Sequence, residues 1–344
     1  MRSIRYVSVL LLALSAFLPS ARLVGASKGL REYLVYFGTY TGKGSKGIYV
    51  CRFRPATGKL TPVELAAETV SPSFLAVDPA QRFLFAANEI GDYQNAKSGS
   101  VSSFAIDRRS GKLSALNTVA SRGADPCHLT VDKAGKHVLV ANYTGGSVAV
   151  LPIKPDGALG ESSDFVQHLG SSVDPERQKE PHAHDVVLTP DNRFAVVADL
   201  GLDKLLVYRY DLENGKLASN DPPFGRVKPG SGPRHFALHP NGRWAYVISE
   251  IGNTITAFDW DGDKGSLHIQ PAFNYDGVHV VGRANEKEVD LLGTGKGPYQ
   301  FTLEAEHFAD CIRHNKRPES PGEEGLRDML AIEAIYRAAG TPIA

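Results

Sequence analysis

The segment Pro181-His182-Ala183-His184-Asp185 runs on into Val186-Val187-Leu188-Thr189-Pro190-Asp191-Asn192-Arg193-Phe194-Ala195-Val196-Val197-Ala198-Asp199. It reads as an imidazole pair at the mouth of a short apolar strand, then a turn carrying a basic residue, then a second apolar strand. The unit recurs. Phe74-Leu75-Ala76-Val77-Asp78-Pro79 leads through Arg82 to an apolar strand ending at Asn88-Glu89, and His128-Leu129-Thr130-Val131-Asp132 leads through Lys136 to one ending at Asn142-Tyr143. His235-Phe236-Ala237-Leu238-His239-Pro240 leads through Arg243 to Ser249-Glu250. The basic residues of the four units follow one another at intervals of roughly 50 to 57 positions, a period that marks repeated sheet units.

After each unit comes an alternating strand, at 100–106, 147–151, 205–210 and 254–258. A Gly-Lys-Leu segment recurs at Gly58-Lys59-Leu60, Gly111-Lys112-Leu113 and Gly215-Lys216-Leu217. Four short strands per repeat predict an all-β fold, a β-propeller with blades packed face to face. The first unit is incomplete: Leu34-Val35-Tyr36-Phe37-Gly38-Thr39-Tyr40 supplies a second-position strand with no first strand before it. In a closed ring that strand comes from the other end of the chain.

The register predicts where chemistry gathers. Ser73, Cys127, His184 and Arg234 share one column of the repeat, Phe74, His128, Asp185 and His235 the next, and Glu89, Tyr143, Leu200 and Glu250 the position just past the second strand. In an antiparallel hairpin the start of one strand lies beside the end of the next, so both sets belong to one rim. His182, His184, Arg234, His235 and Glu250 are thus expected to converge around a central opening.

Composition narrows the classes. The chain has 344 residues, with Lys+Arg and Asp+Glu both at 38, which excludes the basic field of a nucleic-acid binder. Arg2 and Arg5 precede the apolar run 7–18, and Val24-Gly25-Ala26 supplies small residues for cleavage, so residues 1–26 read as a secretory signal with an uncleaved anchor as the alternative. The expected location is periplasmic or secreted, with no membrane association after cleavage. Cys51, Cys127 and Cys311 are odd in number and far apart, which argues against a disulfide framework, and Cys127 reads as a small buried hydrophobe within a strand.

Pro181-His182-Ala183-His184, Gly232-Pro233-Arg234-His235, Asn88-Glu89 followed by Gly91-Asp92-Tyr93-Gln94, Ala141-Asn142-Tyr143-Thr144-Gly145-Gly146-Ser147-Val148, and Gly38-Thr39-Tyr40-Thr41 resemble the propeller-type lactonase family. That family includes bacterial 6-phosphogluconolactonases and fungal carboxymuconate-cyclising enzymes. The resemblance covers about 33–267 and implies a seven-bladed propeller acting on a lactone; this stretch supplies only about five blades at the observed period. The family's later Ser-Asn-Arg-Gly segment has no match here.

From 268 onward the composition changes. Phe301, Ala305, Phe308 and Ile312 mark one helical face, and Ser320, Pro321 and Glu323 write out the start of a second helix that Gly340 and Pro342 stop. Phe308-Ala309-Asp310-Cys311-Ile312-Arg313 and Ser320-Pro321-Gly322-Glu323-Glu324-Gly325-Leu326-Arg327-Asp328 resemble the C-terminal end of Gfo/Idh/MocA sugar oxidoreductases. The dinucleotide-binding glycine turn of those enzymes is absent from the sequence, and the chain reads as a fusion of two truncated parents.

Opening a lactone with water takes a base for the water, a cation for the developing oxyanion and an acid for the leaving alkoxide. His182 or His184 suits the base, oriented by Glu250, because imidazole titrates near neutral pH. Arg234 suits the oxyanion or a substrate carboxylate or phosphate, His235 the acid or a substrate contact, and Glu89, Asn142 and Tyr143 further substrate contacts. No cofactor or metal is expected, since two imidazoles lack the third ligand of a zinc site. Each assignment has a plainer rival: turn hydrogen bonding for His182 and His184, a hairpin ion pair between Arg234 and Glu250, a satisfied core side chain for His235, and rim decoration for Glu89 and Tyr143. His128 and His239 read as structural. Competing with a metal-independent lactonase are a non-catalytic propeller that binds a ligand or protein and, more weakly, a sugar oxidoreductase fragment. Open blade edges favour self-association.

Overall fold

A computed structural model describes residues 32–42, 44–54, 59–275, 280–284 and 287–290. The expected leader and its cleavage site, Cys311, the two expected C-terminal helices and the oxidoreductase-like motifs lie outside the described residues. Among the described residues every regular element is a β-strand and every pairing is antiparallel.

The strands form five sheets. The first holds β1 (Tyr33–Gly38), β2 (Gly47–Arg54), β3 (Lys59–Leu60) and β4 (Glu64–Glu68), with β2 pairing all three others. The second runs β5 (Pro72–Val77), β6 (Phe83–Asn88), β7 (Ser100–Ile106), β8 (Leu113–Ala120), and the third β9 (Pro126–Val131), β10 (His137–Asn142), β11 (Ser147–Pro152), β12 (Asp164–Gln167). The fourth runs β13 (Ala183–Leu188), β14 (Phe194–Asp199), β15 (Lys204–Asp211), β16 (Lys216–Arg226). The fifth, β17 (Pro233–Leu238), β18 (Trp244–Ser249), β19 (Thr254–Asp261) and β20 (Ser266–Tyr275), is lengthened by β21 (Val280–Ala284) and β22 (Lys287–Asp290). These last two strands lie in the stretch that the composition change sets apart, yet they extend the fifth sheet. As expected, β1 pairs only with β2 among the described residues.

Strand periodicity explains the packing. Side chains of period two leave a strand on opposite faces, so a strand apolar at every position serves two neighbouring sheets at once. Phe83, Phe85 and Ala87 of β6 join Leu129, Val138 and Val140 of the third sheet, while Leu84 and Ala86 turn to Ile48 and Val50 of the first. Leu139 and Ala141 of β10 meet Val186, Ala195 and Val197 of the fourth sheet, and Phe194, Val196 and Ala198 of β14 meet Phe236, Ala245, Val247 and Phe258 of the fifth. Four apolar cores therefore join five sheets in series. Each fully buried Phe, Leu or Val contributes roughly 1.5 to 3 kcal/mol over exposure.

The innermost strands β5, β9, β13 and β17 lie side by side in chain order, with β1 beside β5. β18 has the same apolar content as its counterparts, yet Trp244 and Ile248 are exposed, because no described sheet covers that face.

Candidate functional site

One irregularity, repeated four times, builds the site. Each innermost strand slips register against its partner at the same place: between Pro72 and Phe74, at Pro126 to His128 opposite Ala141 and Asn142, between Ala183 and Asp185, and between Pro233 and His235. The extra residues are Ser73, Cys127, His184 and Arg234. A bulge leaves one residue out of the ladder and re-aims its side chain. All four bulge residues line one cavity of about 490 Å3. The next column adds Phe74 and His235, the position past the second strand adds Glu89, Tyr143 and Glu250, and Tyr40 follows β1.

The remaining lining residue, Arg177, carried no sequence expectation. It sits in the connection from Gln167 to Ala183, much longer than the corresponding connections from Glu68 to Pro72, Ala120 to Pro126 and Arg226 to Pro233. That excess length, with the charged run Asp174-Pro175-Glu176-Arg177-Gln178-Lys179-Glu180, was its signal. The connection is anchored by Gln178, fully buried, whose side-chain amide donates to the Leu200 carbonyl at 2.8 Å.

Glu250 organises the cations. Its Oε1 accepts from Arg177 at 2.6 Å and its Oε2 from Arg234 Nε at 2.9 Å. Burial pushes the Glu250 carboxyl up, but the hydrogen bonds from Arg177 and Arg234 outweigh it and hold the group below its usual range. Arg177 also donates to the Tyr143 hydroxyl at 3.0 Å. Across the cavity, Tyr40 donates to Glu89 Oε2 at 2.7 Å, and burial followed by that bond pushes the Tyr40 phenol up to about 12. The hairpin pair between Arg234 and Glu250 thus exists within the cavity. The expectation that Glu250 orients His184 is not met: His184 Nε2 stands 3.9 Å from Glu250 Oε2, beyond hydrogen-bond range.

The imidazoles divide. His184 lies in the cavity wall, its pKa brought down to about 4 by burial and then by the positive charge of Arg234 and His235. His235 is lowered as well, by burial first, with the carboxylate of Asp185 pulling the other way. Both are neutral at pH 7. His182 is outside the lining: its ring stacks on Tyr143 with centroids 4.6 Å apart, its Nδ1 donates to the Tyr143 carbonyl at 3.1 Å, and its backbone N–H donates to Asp199. His182 is therefore corrected from base to support for Tyr143.

Asn142 is corrected too. It is fully buried, donating to the Ser121 carbonyl at 3.0 Å and to Ser147 Oγ at 3.1 Å. Asn88, one sheet earlier in the same column, clasps Thr69 in the same way. With Asp199 of β14, this column fastens the second strands of sheets two, three and four to the connection before each. Cys127 does lie in a strand, but as a half-buried thiol in the cavity wall, donating to the His184 carbonyl at 3.3 Å. Burial pushes that thiol far up, so it is no nucleophile.

Behind the wall, Asp185 is 1% exposed, with His128 Nδ1 3.0 Å from its Oδ1 and His235 Nδ1 3.8 Å from its Oδ2. These three residues have the donor atoms to hold a cation. A cavity combining neutral imidazoles, a guanidinium pair and phenols can bind a small polyhydroxy or acidic molecule and polarise a carbonyl.

Residues 34–289 match the family described as lactonase, seven-bladed β-propeller. The 6-phosphogluconolactonase of Bacillus subtilis (strain 168) is 37% identical over 238 residues, 69% of this chain and 65% of that protein. A 6-phosphogluconolactonase of Formosa agariphila is 29% identical over 65% of this chain and 63% of its own. The structure of the Pseudomonas aeruginosa periplasmic gluconolactonase superposes with a TM-score of 0.66 at 34% identity, covering 78% of this chain and 70% of that one. The chain spans about two thirds of the length of the curated relatives it matches, 65% for the Bacillus protein.

Proposed function

The chain belongs to the seven-bladed β-propeller lactonase family, and from that premise we propose that it hydrolyses a sugar or organic-acid lactone at the rim cavity, without a metal or nucleotide. The observation that carries this reading is the placement of all four bulge residues, with His235 and Glu250, in one cavity wall.

His235 is the base in this reading. Its ring is more open to the cavity than that of His184, and the negative charge of Asp185, 3.8 Å from Nδ1 and so acting without a hydrogen bond, favours the tautomer with its proton on Nδ1, leaving the Nε2 lone pair for water. Water adds to the lactone carbonyl as Nε2 takes its proton. Glu250 occupies Nε of Arg234, which leaves the η nitrogens to meet the oxyanion. The tetrahedral intermediate then breaks its ring C–O bond, and the proton on His235 passes to the departing alkoxide. His184, neutral and desolvated, serves as a hydrogen-bonding wall for the water or the ring oxygen. Arg177, Tyr143 and Glu89 contact substrate hydroxyls or an acidic substituent.

The purified protein is expected to open gluconolactone faster than buffer does, and His235→Gln to lose most of that excess while His184→Gln loses less. A variant at His235 that keeps the full rate removes the mechanism. Export to the periplasm or medium is supported by the leader expected at 1–26 and by the periplasmic P. aeruginosa relative. Periplasmic gluconolactone then suits better than its 6-phosphate.

One observation favours a non-catalytic reading: the described residues form five sheets, and the family model has seven blades. In that case lactone or aldonate binds, detected by calorimetry, but the rate stays at that of buffer.

A further inference from the structure

His128, Asp185 and His235 stand at equivalent positions on β9, β13 and β17, and their arrangement has more lone pairs than protons to join them. His128 Nδ1 accepts the backbone N–H of Val186 at a long 3.3 Å, so that nitrogen carries a lone pair and not a proton, and an ion bound there would displace this N–H contact. Asp185 Oδ1 lies 3.0 Å from it and receives no hydrogen bond, although the residue is 1% exposed. Asp185 Oδ2 accepts the Phe236 N–H at 2.7 Å, which fixes the carboxylate plane, and stands 3.8 Å from His235 Nδ1. An orphaned buried carboxylate oxygen is costly unless a cation meets it.

The spacing suits a metal ion. The three donor atoms lie within 4.8 Å of one another. Bonds of about 2.0 to 2.2 Å around a tetrahedral zinc ion separate neighbouring ligand atoms by about 3.3 Å. His128 Nδ1 stands 3.0 Å from Asp185 Oδ1, close to that value, and His235 Nδ1 stands 3.8 Å from Oδ2 of the same carboxylate. Two imidazoles and one carboxylate form a donor set that zinc accepts, and one of the three, His235, also lines the cavity.

We propose that His128, Asp185 and His235 form a site for a divalent transition-metal ion, zinc foremost, and that filling it shuts down the cavity. Coordination at His235 Nδ1 moves that ring's one proton to Nε2. The lone pair facing the cavity is then gone, with no net proton taken up or released. Metal binding stands independently of the lactonase reading; only the inhibitory half rests on it.

The test titrates the full chain, stripped with chelator, with Co2+ by visible absorption and with Zn2+ by calorimetry. One ion per chain is expected, with the intense visible bands of tetrahedral Co2+ that Zn2+ displaces. His128→Gln and His235→Gln should each weaken binding by about 10 to 100-fold, and His184→Gln by less than about twofold. Far-UV circular dichroism identifies any variant that fails to fold, and the two histidine variants carry the test if Asp185→Asn does not fold. Unchanged affinity in both folded variants, no ion bound, or loss with His184→Gln instead overturns the site. In the activity arm, saturating Zn2+ should abolish gluconolactone hydrolysis and chelator restore it. Full activity with the site filled overturns the inhibitory half alone.

Discussion

His184 shows how a single side chain couples the site to stability. Its folded pKa of about 4 lies below its ordinary value of 6.5, so as pH falls the unfolded chain takes up the proton first. Stability is therefore expected to fall between those two values, by about 3 kcal/mol in total. Urea unfolding of the wild type and His184→Gln at several pH values checks this, the variant losing less over that interval. Glu250 acts on a smaller scale, since its ring of contacts is partly open to solvent. Glu250→Gln should release both guanidiniums and raise KM for the lactone by roughly tenfold, more than it lowers kcat. At this scale the repeat columns were legible: aligning four short strands was enough to group Ser73, Cys127, His184 and Arg234. Their roles were less legible, because Glu250 could have oriented an imidazole or clamped arginines, and only distances decide.

At the scale of elements, the strands were readable from their period of two, and the incomplete first sheet from its missing strand. The bulges were not read, although Pro72, Pro126 and Pro233 stand immediately before the extra residue in three of the four. The long connection that delivers Arg177 escaped because it has no counterpart in the repeat. Its junction depends on Gly146, which has φ +55°; a Cβ there would lie 2.5 Å from the Pro181 carbonyl oxygen. Gly146→Ala should destabilise the protein by about 1 to 3 kcal/mol in thermal or urea unfolding and reduce activity by disturbing His182 beneath Tyr143. Asp199 reinforces the same junction, accepting His182 N–H at 2.9 Å and pairing with His168 at 2.6 Å.

For the whole molecule, the sequence anticipated a series of about five units, and five sheets are present among the described residues. Sheets two, three and four bury both faces of their second strands, whereas in the fifth Trp244 and Ile248 remain exposed at 37% and 49%. Apolar side chains side by side on an open sheet face attract hydrophobic dyes and further copies of the chain. Dye fluorescence and concentration-dependent sedimentation are expected for the wild type, and Ile248→Lys should diminish both without changing the melting temperature by more than a few degrees.

The repeated bulge also separates two jobs that proteins usually entangle. Strand pairing and sheet stacking run on either side of it, so Ser73, Cys127, His184 and Arg234 are released from the ladder. A combinatorial library at these four codons would vary what the chamber recognises while the scaffold stays intact, a natural starting point for redirecting its ligand preference.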